Sequence, residues 1–255
     1  MTSLVETTRN GDVLILRLAR PDKANALTAD MYAALADGLG SAEADETVRV
    51  VMLLGSPGVF TAGHDMADFL ANPPRDGDAP SFRFLRALAR ASVPLVAAID
   101  GDAVGIGTTM LLHCDMVVAS TRSRFRLPQV DLGLVPEAGC TLLLPRLVGH
   151  ARAAELLMLG RYFDAEQARE HGLVNHVTAP DEVEPAIARF AAALSSKPPG
   201  ALRATKRLLR GDPTVLETAI LQEARIFAER LMSGEAREAF TSFLENRPPD
   251  YGKVH

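Results

Sequence analysis

One carboxylate stands out for its surroundings. In Leu132-Gly133-Leu134-Val135-Pro136-Glu137-Ala138-Gly139, Glu137 sits in an apolar stretch, where a surface turn would be polar. A carboxylate held in apolar surroundings is a candidate general base or acid. A helix-start glutamate stabilised by the helix dipole explains the same pattern. Two glycine-bearing segments precede it. Phe60-Thr61-Ala62-Gly63-His64-Asp65-Met66 has small residues that let a ligand approach the backbone, although a tight turn would look alike. His64 has no partner at metal-ligand spacing. Asp100-Gly101 through Gly105-Ile106-Gly107-Thr108-Thr109 is a turn in which free backbone N–H groups at a helix start can receive an anion or oxyanion. It has neither the G-x-G-x-x-G spacing of a dinucleotide loop nor the Lys-Ser/Thr of a phosphate loop.

The elements that must position these segments alternate between strand and helix. Residues 13–18 read as a strand ended by Arg20-Pro21, and Thr28 caps a helix expected to run to about Leu39. Residues 48–54, 95–99 and 116–119 are apolar runs that read as buried strands, with a short apolar helix over Thr108 to Leu112. This is the pattern of an α/β layered core. Ala71 to Pro80 is polar and rich in Pro and Gly, either a surface loop or a wall over a ligand pocket, and a helix follows over Phe82 to Ala91. Asp164-Ala165-Glu166-Gln167 is a capping box, and Gly172 ends its helix. From Pro198 onward only helices are expected, over Pro199–Arg210, Pro213–Leu231 and Gly234–Asn246. Lys197-Pro198 is therefore the expected boundary between a core over 1–197 and a helical region over 198–255. Three such helices bury little alone and should pack on the core or on another subunit.

The chain has 255 residues, 47 % apolar and 23 % charged, with no Trp, so its core is mainly aliphatic. A net charge of −5 argues against a nucleic-acid partner. Cys114 and Cys140 are expected as reduced thiols of a cytoplasmic protein. Met1 to Asp12 has no apolar run, so no leader is expected, and no stretch approaches a membrane span.

Taken together, in this order and spacing, these segments resemble the crotonase (enoyl-CoA hydratase/isomerase) superfamily over nearly the whole chain. Arg20 through Leu27 is similar to its adenine-side loop and Ala62 through Met66 to its first oxyanion loop. Asp100 through Asp115 resembles the second, and Leu127-Pro128-Gln129 through Gly139 the catalytic strand and turn. Gly172-Leu173-Val174 fits as well. The resemblance implies a spiral of ββα units with a helical C-terminal region that builds homotrimers or hexamers. It implies an acyl-CoA substrate, with coenzyme A as part of the substrate and no separate cofactor or metal. The thioester carbonyl would be held by the backbone N–H groups of His64 and Ile106, leaving the His64 side chain incidental. Lys23, Ala24, Ala26, Ala62, Asp65, Met66, Gly105, Thr109 and Gln129 become candidate substrate-binding residues, with Lys23, Arg20 and Lys253 the candidate cations for the coenzyme A phosphates.

Typical hydratases of this family carry two glutamates. Here Thr109 and Gln129 occupy those positions, and neither can accept and return a proton. Glu137 resembles the acid of the Δ3,Δ2-enoyl-CoA isomerases. The expected activity is thus a double-bond shift through an oxyanion-stabilised enolate. The alternatives are hydration, ring isomerisation, thioester hydrolysis, dehalogenation, or acyl-CoA binding without turnover.

Overall fold

A computed structural model describes residues 4–72, 79–245 and 247–253, with the side chains of residues 243, 244 and 253 outside that description. Among the described residues there are ten strands: β1 (Val5–Asn10), β2 (Val13–Leu18), β3 (Val50–Leu54), β4 (Val59–Thr61), β5 (Leu95–Ile99), β6 (Asp102–Val104), β7 (Met116–Ser120), β8 (Arg124–Arg126), β9 (Phe163–Asp164) and β10 (His176–Thr178). They form a six-stranded sheet in the order β1-β2-β3-β5-β7-β10 and a four-stranded sheet in the order β4-β6-β8-β9. From β2 onward the large sheet is parallel.

The runs read as buried strands are buried on both faces, as a parallel sheet requires. In β3 and β5 every residue is buried. Alternate side chains divide between two cores. Val51, Leu53, Leu95, Ala97 and Ile99 enter the main one, with helices α1 (Ala29–Ala44) and α3 (Pro80–Arg90). Val50, Met52, Leu54, Val96 and Ala98 meet Val183, Ile187 and Ala191 of another helix, Val183–Ser195. β1 was not expected as a strand. It is an edge strand with only Val5 buried, so it shows no apolar alternation.

The side chain of Thr28 caps α1 through the Met31 N–H. The helix runs five residues past Leu39 because Ala42 continues its buried stripe. Between them lie α2 (Met66–Ala71) and, after β6, the short α4 (Ile106–Thr109), continued by a 3-10 turn over Met110–His113. Then come α5 (Cys140–Val148), α6 (His150–Leu159), α7 (Ala165–Glu170) and α8, the Val183–Ser195 helix. Asp164 and Gln167 form the expected capping box. Most of the expected polar loop, residues 73–78, lies outside the described residues.

The C-terminal helices are α9 (Pro199–Arg210), α10 (Pro213–Leu231) and α11 (Gly234–Leu244), with residue 246 outside the description. α10 packs on α3 and α5 of its own chain, and Phe227 and Phe240 share a cluster with Phe69 and Leu134. Among the described residues no helix is long and apolar enough to cross a membrane. Both cysteines are free thiols.

Candidate active site

The small sheet brings the chemical segments together. β4, β6 and β8 are parallel neighbours, so their C-terminal ends lie side by side. β4 leads into Ala62-Gly63-His64, β6 into Gly105-Ile106, and β8 into Pro128-Gln129. Ligands of parallel sheets gather at such carboxyl ends.

Two glycines permit the approach. Gly63 has φ +93°, and a Cβ there would lie 2.9 Å from the Val104 carbonyl oxygen. Gly105 has φ 58° and ψ −120°, a conformation only glycine adopts readily, and its N–H is held by the Arg126 carbonyl at 2.9 Å. The N–H groups on either side are thereby aimed. The parallel bridge between Leu27 and His64 uses Leu27 N–H to Gly63 O and Asp65 N–H to Leu27 O. The N–H of His64 itself points to the opposite side. Ile106 is the first residue of α4, so its N–H has no acceptor within the helix.

Glu137 is 5 % exposed. Gln129 Nε2 donates to its Oε1 at 3.2 Å, and His64 Nε2 lies 3.1 Å from its Oε2. Tyr32 Oη lies 2.7 Å from the other ring nitrogen, His64 Nδ1. Burial, and secondarily the charge of Glu137, push the Tyr32 phenol well above its ordinary pKa. The aromatic rings of Phe69 and Phe227 stand 4.6 and 6.0 Å from the His64 ring. The His64 side chain is therefore engaged on both nitrogens, which corrects the expectation that it is incidental. Tyr32 carried no sequence signal, because its helix reads as an ordinary amphipathic one.

The turn bearing Glu137 is anchored from two sides. Ala138 and Gly139 both have left-handed φ, 68° and 70°. The buried Glu223 carboxylate of α10 accepts from the Gly139 N–H at 2.6 Å, the Thr141 N–H at 2.8 Å and the Thr141 hydroxyl at 2.6 Å. His113 Nε2 lies 2.7 Å from the Ala138 carbonyl oxygen, and burial lowers its pKa to about 4, so it donates as a neutral ring.

A cavity of about 1170 Å³ opens over these groups. Ala24, Ala62, Met66, Gly105, Gln129, His64 and Glu137 line it. The remaining candidates do not. Asp65 caps α2 through the Ala67 and Asp68 N–H groups and pairs with Arg20 at 2.6 Å, which also donates to the Ala26 carbonyl. The side chains of Arg20 and Asp65 thus brace the 20–27 loop against the start of α2. Lys23 is exposed on the Pro21–Lys23 turn, away from the cavity wall. Thr109 is fully buried, its hydroxyl 3.5 Å from the Ile106 carbonyl oxygen. The Lys253 side chain lies outside the described residues. The cavity cations that the sequence reading missed are Arg126, Arg161 and Arg247, beside Tyr162 and Tyr251. Arg126 is tied to Asp131 and Arg247 to Glu238 and Glu245, whereas Arg161 follows Gly160 in a loop with no motif to mark it. Phe82 and Leu85 of α3 face a hollow of about 20 Å³ beside Glu137.

With this geometry in place, comparison with known proteins gives a single answer. Residues 8–254 match the family described as Enoyl-CoA hydratase/isomerase. The chain belongs to that family. Its α/β core and helical C-terminal region have the crotonase fold. The enoyl-CoA hydratase/isomerase of Pseudoalteromonas atlantica T6c superposes with a TM-score of 0.93 at 40 % identity, covering 97 % of this chain and 99 % of that one. Among curated relatives, the 1,2-epoxyphenylacetyl-CoA isomerase of Escherichia coli is 33 % identical over 249 residues, 94 % of each chain. The 2,3-dehydroadipyl-CoA hydratase of the same organism is 33 % identical over 256 residues, 98 % of this chain and 99 % of its own. Family members at equal distance thus carry both reaction names.

Proposed function

We propose that this enzyme shifts a double bond within an enoyl-CoA thioester. The observation that carries the reading is the placement of Glu137; Asp102 and Asp131 also line the cavity, but each is paired with an arginine, Arg124 and Arg126 respectively. Glu137 is the buried carboxylate on the cavity wall beside the two glycine loops, while the positions that hold acids in typical hydratases are Thr109 and Gln129. The N–H groups of His64 and Ile106 would receive the thioester oxygen as charge develops on it, each worth roughly 3–4 kcal/mol. Glu137 removes the C2 proton of a 3-enoyl thioester, and the electron pair enters a dienolate. The same carboxyl group returns the proton to C4. Phe69, Leu134 and Phe227 keep the site apolar, so water does not compete for the proton. Arg161 is the candidate contact for coenzyme A phosphate.

The test is direct. Purified protein should convert a 3-enoyl-CoA to its 2-enoyl isomer, and Glu137→Gln should lose roughly 10²- to 10⁴-fold in kcat. An undiminished rate in the variant would refute the assignment.

Hydration is the second reading, supported by one detail. Gln129 Oε1 is buried without a hydrogen-bond partner beside Glu137, and it could accept from a water that Glu137 activates. Faster water addition to a 2-enoyl-CoA than isomerisation of the 3-enoyl substrate would favour it. For assembly we infer a homotrimer or hexamer. Leu208 and Leu209 of α9 are 80 % and 84 % exposed, and light scattering would give the subunit number.

A further inference from the structure

We propose that Tyr32 and His64 form a tautomer lock that confines the abstracted proton to Glu137. The inference rests on the reading of Glu137 as the proton carrier. It assigns positioning roles to two side chains that the oxyanion chemistry does not use.

The argument follows from donors and acceptors. When Glu137 is the base, both its oxygens accept. Gln129 Nε2 donates to Oε1 at 3.2 Å, so the nitrogen 3.1 Å from Oε2, His64 Nε2, must also donate. A neutral ring with hydrogen on Nε2 has a bare Nδ1. That nitrogen lies 2.7 Å from the Tyr32 hydroxyl, which can donate to it. Tyr32 is 2 % exposed and packed between the His64 and Phe84 rings, so its hydroxyl stays where it is. The three residues satisfy one another with a single placement of hydrogens.

The consequence appears after proton abstraction. The C2–H bond breaks, its electron pair enters the dienolate, and the proton moves to Glu137. For it to leak onto His64, a ring nitrogen would have to accept it. Nε2 already holds hydrogen, and Nδ1 is capped by a phenol that burial keeps protonated. The other groups near the carboxylate are no better as acceptors. The Gln129 amide is a donor there, burial holds the Cys140 thiol protonated, and Glu223 is committed to Gly139 and Thr141. None of these side chains takes the proton, so it returns to the substrate, forming the C4–H bond with the dienolate electrons.

The test has two readouts. In protein labelled with nitrogen-15 at histidine, the neutral His64 ring should show one tautomer, hydrogen on Nε2. Tyr32→Phe keeps the ring but removes the hydroxyl. The minor tautomer should rise about five-fold, the ratio that loss of one neutral hydrogen bond represents. With a 3-enoyl-CoA deuterated at C2, the wild-type enzyme in ordinary water should deliver the deuterium to C4. Tyr32→Phe should release more of it to solvent, whereas His64→Gln, whose amide can donate but cannot take a proton, should retain it. A wild-type ring protonated on Nδ1 would overturn the lock. So would equal retention in wild type and Tyr32→Phe, or higher retention in His64→Gln than in wild type. Failure of the wild-type enzyme to isomerise at all would instead strike the reading of the reaction, and the tautomer measurement would still decide the lock.

Discussion

Removing the Glu223 carboxylate should loosen the turn that carries Glu137, which it holds by direct hydrogen bonds. Glu223 stands on α10 and accepts three hydrogen bonds at the start of α5, from Gly139 N–H, Thr141 N–H and Thr141 Oγ1. In Glu223→Ala the two Thr141 donors regain solvent, because Thr141 is exposed. The Gly139 N–H is buried and does not. One buried unsatisfied donor costs about 1–3 kcal/mol. Loss of an anion at the helix start adds about 0.3–1 kcal/mol. Release of a carboxyl group whose burial is unfavourable offsets a part. The net is roughly 1–3 kcal/mol, a fall in melting temperature of roughly 2–12 °C for a chain of this size. Glu137 lies two residues before Gly139, so its carboxylate should drift. A misplacement of that order lowers kcat roughly 10- to 100-fold with little change in KM. Calorimetry and steady-state kinetics on a 3-enoyl-CoA measure both effects. An unmoved melting temperature with normal kcat would refute the reasoning that α10 holds the turn.

Two further outcomes are expected. Burial lowers the pKa of His113 from 6.5 to about 4, so the unfolded chain binds more protons in that interval and stability should fall as pH drops through it; denaturant titrations should show a weaker pH dependence in His113→Gln. Arg161→Ala should raise KM for acyl-CoA substrates while leaving KM for the corresponding acyl-pantetheine thioesters unchanged, as measured by initial rates.

Much of the architecture was legible because it depends on burial pattern. Residues 50–54 and 95–99 are apolar at every position, which only a strand covered on both faces explains at that length. The capping box at Asp164 and the proline-headed helices α9 and α10 announce themselves by local hydrogen-bonding chemistry. The strands β4, β6, β8 and β9 were not legible. They have two or three residues each, too few to show a period. The edge strand β1 has one buried residue, so its sequence shows no apolar alternation.

The site divides in the same way. By itself the sequence determined the two glycine loops and the apolar setting of Glu137, because each is a property of neighbouring residues; that Thr109 and Gln129 stand where hydratases carry acids came only from the family resemblance. Only the tertiary structure decided what those residues touch. It placed the loops side by side at the ends of β4 and β6, and it turned Asp65 and Arg20 toward each other instead of the cavity. It also brought Tyr32 and His64, 32 residues apart, into line with Glu137, a further 73 residues on. Hydrogen bonds of that span leave no local trace, because their energy depends on how two distant elements pack and not on the residues beside them.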